Sequence, residues 1–121
     1  MVAKKILLVE DEFLIRQTLA EALVEEGFDV IEVDRADDAL RVLQAEPDIA
    51  LLLTDVQLPG DMDGVQLASA LRQGIPELPV VFMSGRPDRL ESVVDSPRDA
   101  VITKPYLPSE VCRAARRLTG G

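Results

Sequence analysis

The 121-residue chain has no histidine and no tryptophan, one cysteine and one tyrosine. The missing histidine removes Ser-His and Cys-His nucleophile pairs and imidazole metal ligands together. Any chemistry must run on carboxylates, hydroxyls and lysine. The lone Cys112 can make no internal disulfide, which fits a reducing compartment, and it reads as helix filler. No apolar run approaches the about 20 residues a membrane span needs. The opening Met1 to Val9 has an apolar run of four residues before Glu10-Asp11-Glu12 interrupts it, too short for a secretory signal. A cytoplasmic protein without membrane contact is the expectation. Positive charge is scarce as well: 13 basic against 22 acidic side chains give a net charge of −9, which repels phosphates and argues against direct nucleic-acid binding. The deficit is local. Residues 1–85 carry 6 basic and 17 acidic groups, residues 86–121 carry 7 and 5, so a cationic face is expected near the C-terminal end.

What is present is an ordinary globular composition, 47% hydrophobic and 29% charged, enough for one domain over residues 1–121 with its own core. Lys4 to Val9 is a short apolar run ending at three acids and predicts a buried strand. Ile15, Leu19, Ala22 and Leu23 stripe a helix over Glu12 to Glu26 that Gly27 can stop. Phe28 to Val33 predicts a second strand, and Ala39, Leu40 and Leu43 predict a helix over Ala36 to Ala45, closed by Pro47. Ile49 to Leu53 is a buried strand that leads through Thr54 to Asp55, and Pro59, Gly60 and Gly64 force turns beyond it. Val65, Ala68 and Leu71 outline a helix with Asp61 or Asp63 as its cap and Gly74 beyond its end. Leu78 to Met83 is a fourth strand, Pro87 to Val94 a short or irregular helix bracketed by prolines, and Ala100 to Thr103 a fifth strand. Val111, Ala114, Ala115 and Leu118 stripe the last helix, with Leu107 at its cap position and Pro108 in its first turn.

Alternating buried strands and helices predict an α/β fold, a five-stranded parallel sheet covered on both faces through right-handed crossovers. In such sheets ligands sit outside the carboxyl ends of the strands. Those ends carry Glu10 and Asp11, Asp34, Asp55, Ser84 and Lys104. Carboxylates crowded at one end repel one another unless a cation compensates, and an all-oxygen donor set suits Mg²⁺. Asp55 could then act as a nucleophile toward a phosphoryl group, with charge neutralisation from the cation and from the Lys104 ammonium. The Ser84 hydroxyl could donate a hydrogen bond to the phosphoryl oxygens.

Val9-Glu10-Asp11-Glu12, the Leu-Leu-Thr-Asp-Val-Gln-Leu-Pro-Gly stretch ending at Gly60, Asp63-Gly64, Met83-Ser84-Gly85 and Thr103-Lys104-Pro105-Tyr106 together resemble the receiver domain of bacterial two-component response regulators. The resemblance spans essentially the whole chain. It implies a flavodoxin-like (βα)5 three-layer sandwich with strand order 2-1-3-4-5, Asp55 as phosphoacceptor, and Glu10, Asp11, Asp55 and the backbone carbonyl of Gln57 as Mg²⁺ ligands. It further implies that Ser84 and Lys104 hold the phosphoryl group and that the Lys104–Pro105 peptide is cis. The phosphodonor would be a phosphohistidine on a sensor histidine kinase or histidine phosphotransfer protein, necessarily another molecule. The implied function is a phosphorylation-dependent switch, not an enzyme beyond its own phosphorylation and dephosphorylation, acting on a downstream protein as a monomer or a phosphorylation-dependent dimer.

Three departures from the family pattern carry expectations of their own. The Leu-Pro-Gly-Asp-Met-Asp-Gly loop after Asp55 is one residue longer than the commonest form and predicts a small bulge. Asp99-Ala100 replaces the usual Gly-Ala, and Val101 stands where many receivers place a switch aromatic, so a signal must travel through the loop beyond Ser84. Arg113, Arg116 and Arg117, with Arg86, Arg89 and Arg98, offer a basic partner-binding face or an ordinary solvated surface. Alternative readings are a phosphate shuttle or sink, or a receiver piece of a larger regulator or hybrid kinase cut at Thr119-Gly120-Gly121, Met1 favouring a natural start. Two rivals fit less well. A haloacid-dehalogenase-type hydrolase places its Asp nucleophile after the first strand with a second Asp two residues on, whereas Gln57 follows Asp55. A flavodoxin-like cofactor binder wants a phosphate-cradling loop where this chain has acids.

Overall fold

The computed structural model describes residues 2–90 and 97–120. Five strands form one parallel sheet in the order 2-1-3-4-5: β1 (Lys5–Val9), β2 (Asp29–Val33), β3 (Ile49–Asp55), β4 (Val80–Ser84) and β5 (Asp99–Thr103). Helices α1 (Phe13–Glu25), α2 (Ala36–Ala45), α3 (Gly64–Gly74) and α4 (Pro108–Thr119) cover its two faces, making the flavodoxin-like three-layer sandwich. Among the described residues the fourth crossover contains a 3₁₀ turn, Pro87–Leu90; the rest of the short or irregular helix expected over Pro87 to Val94 lies outside the described residues.

The period of two along buried strands sorts the core into two layers. Ile6, Leu8, Leu51, Leu53, Val81 and Met83 face α1 and α4, where Leu19, Leu23, Val111 and Ala115 meet them. Leu7, Val9, Leu52, Val80 and Phe82 face α2 and α3, against Ala39, Leu67, Ala68 and Leu71. Each fully buried aliphatic side chain contributes about 2 kcal/mol of transfer free energy, so burial of these two layers is the main force holding the strand ends in place. Register slips once, where Lys5 pairs Ile49 but Ile6 pairs Leu51. From there Val9 aligns with Thr54, which sets the acids after β1 beside Asp55 at the end of β3.

The helix ends follow from local chemistry. Asp63, and not Asp61, caps α3: its carboxylate accepts from the Gln66 N–H at 2.8 Å while the Gln66 side chain accepts from the Asp63 N–H at 3.0 Å, a reciprocal capping box. Gly74 is the last residue of α3 and does not stand beyond it. Leu107 has no acceptor side chain, and the α4 start is instead closed by Glu110, whose carboxylate accepts from the Leu107 N–H at 3.2 Å. Gly120 in the left-handed region, with φ 73°, ends that helix.

The Gly-Ala replacement has a structural partner. Asp99, its side chain fully buried, receives a hydrogen bond from Arg72 Nη2. The same guanidinium donates to the Leu78 carbonyl from Nε at 3.0 Å and Nη2 at 2.8 Å. One arginine of α3 thereby ties down the start of β5 and the turn before β4. A charged pair at this depth needs its hydrogen bonds to offset desolvation, which the doubly bonded carbonyl helps provide.

Candidate functional site

The chain reversal between β1 and β3 opens a crevice at the carboxyl ends of the strands, and the acids collect there. One carboxylate oxygen from each of Glu10, Asp11 and Asp55 lies within 4.8 Å of the others. Glu10 is fully buried and Asp55 6% exposed, whereas Asp11 faces solvent. Glu10 is held by its backbone and one oxygen. Its N–H donates to the Val33 carbonyl at 3.1 Å, its carbonyl accepts from Arg16 at 2.8 Å, and Oε2 accepts from the Glu12 N–H at 2.8 Å. Oε1 is buried and has no hydrogen-bond partner among the described residues. Burial foremost, then the Asp55 charge and the adjoining Asp11 carboxyl, pushes the Glu10 carboxyl up to about 7, with the Glu12 N–H and the Lys104 ammonium opposing. A buried acid with an unpartnered oxygen, two neighbouring carboxylates and only oxygen donors fits a hard divalent cation.

Across Asp55 the field changes sign. Lys104 Nζ donates to Asp55 Oδ1 at 2.9 Å. Lys104 holds that position because β5 continues the sheet: its N–H donates to the Ser84 carbonyl at 2.9 Å, and the Lys104–Pro105 peptide is cis, as the resemblance implies. Ser84, 7% exposed at the end of β4, accepts the Arg86 N–H on Oγ at 2.9 Å, so its own O–H remains available to donate. A cavity of about 570 Å³ opens over Asp55, lined by Gln57, Asp63, Val65, Ser84, Arg86 and Lys104 among others. Gln57 is exposed on its rim. Asp34 is not in the acid cluster, which among the described residues holds Glu10, Asp11 and Asp55.

Two glycines make this geometry possible. A Cβ on Gly64 would stand 2.2 Å from the Asp55 carbonyl oxygen and 3.0 Å from Val56 Cα, so α3 begins pressed against the backbone that carries Asp55. The Gly64 N–H donates to the Val56 carbonyl at 2.7 Å and locks that approach. Gly60, with φ 93°, turns the longer loop back in the left-handed region.

A family model for the response regulator receiver domain matches residues 6–116. The chain belongs to that family. Among its relatives, the response regulator receiver protein CpdR of Brucella abortus (strain 2308) is 40% identical over 105 residues, 85% of this chain and 86% of the relative. The response regulator protein FleR of Pseudomonas aeruginosa is 38% identical over 106 residues, 86% of this chain but 22% of the relative. A response regulator receiver protein from Sinorhizobium medicae WSM419 superposes with a TM-score of 0.89 at 25% identity, covering 98% of this chain and 96% of that one. This receiver domain thus belongs to the class of signalling switches found in two-component response regulators.

The structure brings Glu10, Asp11, Asp55, Ser84 and Lys104 to one end of the sheet, where reading the strand ends put them. It also shows what motif reading passed over. Tyr106, a member of the Thr-Lys-Pro-Tyr run given no role of its own, has a buried hydroxyl without a partner among the described residues. Its packing against α1 decides that, and spacing carries no signal of it. The expected basic face is broken up: Arg116 pairs with Glu26 and Arg98 with Glu77, while exposed Arg113 and Arg117 border a groove along β5. Among the described residues no helix is long and apolar enough to cross a membrane.

Proposed function

We propose that residues 1–121 work as one receiver unit in which Asp55 accepts a phosphoryl group from a phosphohistidine of a sensor histidine kinase or phosphotransfer protein. The observation that carries the reading is the pairing at Asp55: one oxygen on the Lys104 ammonium at 2.9 Å, with carboxylate oxygens of Glu10 and Asp11 within 4.8 Å. In the step, an Asp55 oxygen attacks phosphorus, the O–P bond forms as the N–P bond breaks, and the donor's imidazole, already protonated on its other ring nitrogen, departs with the bond's electron pair as the neutral ring. Glu10, Asp11, Asp55 and the Gln57 carbonyl would hold Mg²⁺, which supplies a counter-charge for the phosphoryl oxygens.

Lys104 plays two parts. Before transfer its charge offsets that of Asp55; afterwards its ammonium, with three donors on a flexible stem, can follow the charge to a phosphoryl oxygen. Ser84 has its Oγ lone pair engaged by the Arg86 N–H and its proton free, which suits a hydroxyl that turns toward the new oxygens. That motion shifts the 3₁₀ turn after β4, and a distal face changes its affinity for a downstream protein. Val101, on β5 opposite Phe82, lacks the reach of an aromatic switch, so the loop itself carries the signal.

The test is phosphotransfer from a radiolabelled phosphohistidine donor protein. Label should move to the chain with Mg²⁺, stop with chelator, and fail on Asp55→Asn. Transfer undiminished in chelator would remove the Mg²⁺ reading, and undiminished transfer to Asp55→Asn would remove the acceptor.

A further inference from the structure

Two buried side-chain oxygens lack a hydrogen-bond partner among the described residues, Glu10 Oε1 and Tyr106 Oη. Each orphan of this kind costs about 1–3 kcal/mol, so two that share one end of a sheet call for a common reason. Tyr106 follows the cis Lys104–Pro105 peptide, two residues from the lysine bound to Asp55. Its ring packs on the core layer that holds Leu8 and Leu19, and it borders a groove with Leu14, Ile15 and Leu19 of α1. The loop that leads into α1 is the one that carries Glu10. The tyrosine thus follows the Lys104 segment directly and shares its groove with α1, the helix entered from the Glu10 loop.

We propose that Tyr106 is a positioning residue of the cation site: its hydroxyl donates, directly or through one water, to the free oxygen of Glu10 when that carboxylate is charged and holds a divalent cation. The inference rests on the proposed Mg²⁺ site. A phenol is suited to the task because it donates one hydrogen bond, stays neutral beside acids and needs no second charge. Burial foremost, then the charges of Glu10, Asp55 and Glu12, pushes its own ionisation up to about 12, so the phenol stays a neutral donor.

Tyr106 is the chain's one tyrosine and there is no tryptophan, so intrinsic emission reports from this position alone. The experiment is a Mg²⁺ titration of the whole chain followed by tyrosine emission and by calorimetry, repeated by calorimetry on Tyr106→Phe, with thermal midpoints in chelator. The expected result is a saturable emission change in the unaltered chain at the calorimetric Kd, about tenfold weaker Mg²⁺ binding by Tyr106→Phe, and a midpoint in chelator equal to or above that of the unaltered chain. Mg²⁺ binding by Tyr106→Phe within twofold overturns the inference while leaving the cation site standing. A several-degree fall of the midpoint in chelator also overturns it, because the hydroxyl would then serve the fold. No Mg²⁺ response in the unaltered chain removes the site and the inference with it.

Discussion

Glu10 makes metal-free stability depend on pH in a direction that can be worked out in advance. Its carboxyl ionises at about 7 in the folded chain against an ordinary 4.5, chiefly because it is buried. The folded state thus keeps the proton to higher pH than the unfolded state. The contribution to stability is complete below about pH 4.5 and is lost as pH rises through about 7. At 1.36 kcal/mol per unit the full swing is about 3 kcal/mol. For a chain of this size that corresponds to a fall of about 12 °C in thermal midpoint. Glu10→Gln keeps an oxygen for the Glu12 N–H and cannot ionise, so it isolates this contribution from every other titrating group. In chelator, urea unfolding between pH 5 and 8 should show the two proteins diverging, with Glu10→Gln more stable at pH 8. Saturating Mg²⁺ should reverse the trend for the unaltered chain only, because the cation binds the charged form and binding stabilises the folded state. Parallel curves for the two proteins in chelator would refute the reasoning.

Other substitutions test other parts. Gly64→Ala drives a methyl into the Asp55 backbone at 2.2 Å, and because backbone cannot step aside we expect about 3 kcal/mol of destabilisation in urea unfolding. Arg72→Ala removes the guanidinium from buried Asp99 and should cost about 3–5 kcal/mol, while Arg72→Met with Asp99→Ala should recover much of that in a double-mutant cycle. Asp63→Ala breaks the α3 capping box and should cost about 1 kcal/mol by the same measurement.

The centre of the sheet was legible because β1, β3 and β4 are buried on both sides and read as nearly unbroken apolar runs, Ile6 to Val9 and Ile49 to Leu53 above all. From those runs the strand ends followed, and with them Glu10, Asp11, Asp55, Ser84 and Lys104. Helix α2 matched its expected bounds because Arg35 and Pro47 bracket a clean amphipathic stripe. What could not be read depends on approach between distant segments. Arg72 and Asp99 stand 27 positions apart, and nothing local to either announces the pair. Gly64 looked like a turn former, whereas its hydrogen side chain is demanded by the Asp55 carbonyl. In α1 the core stripe was correct, yet Phe13 and Leu14 next to it point outward at 61% and 74% exposure. The choice between Asp61 and Asp63 as cap turned on a reciprocal bond with Gln66 that composition does not reveal.

The central claim is that Asp55 is the phosphoacceptor. Incubation with acetyl phosphate and Mg²⁺, followed by intact mass, tests it most directly. The account predicts one phosphoryl adduct on the unaltered chain and none on Asp55→Asn. No adduct on the unaltered chain, or one that survives Asp55→Asn, would contradict it.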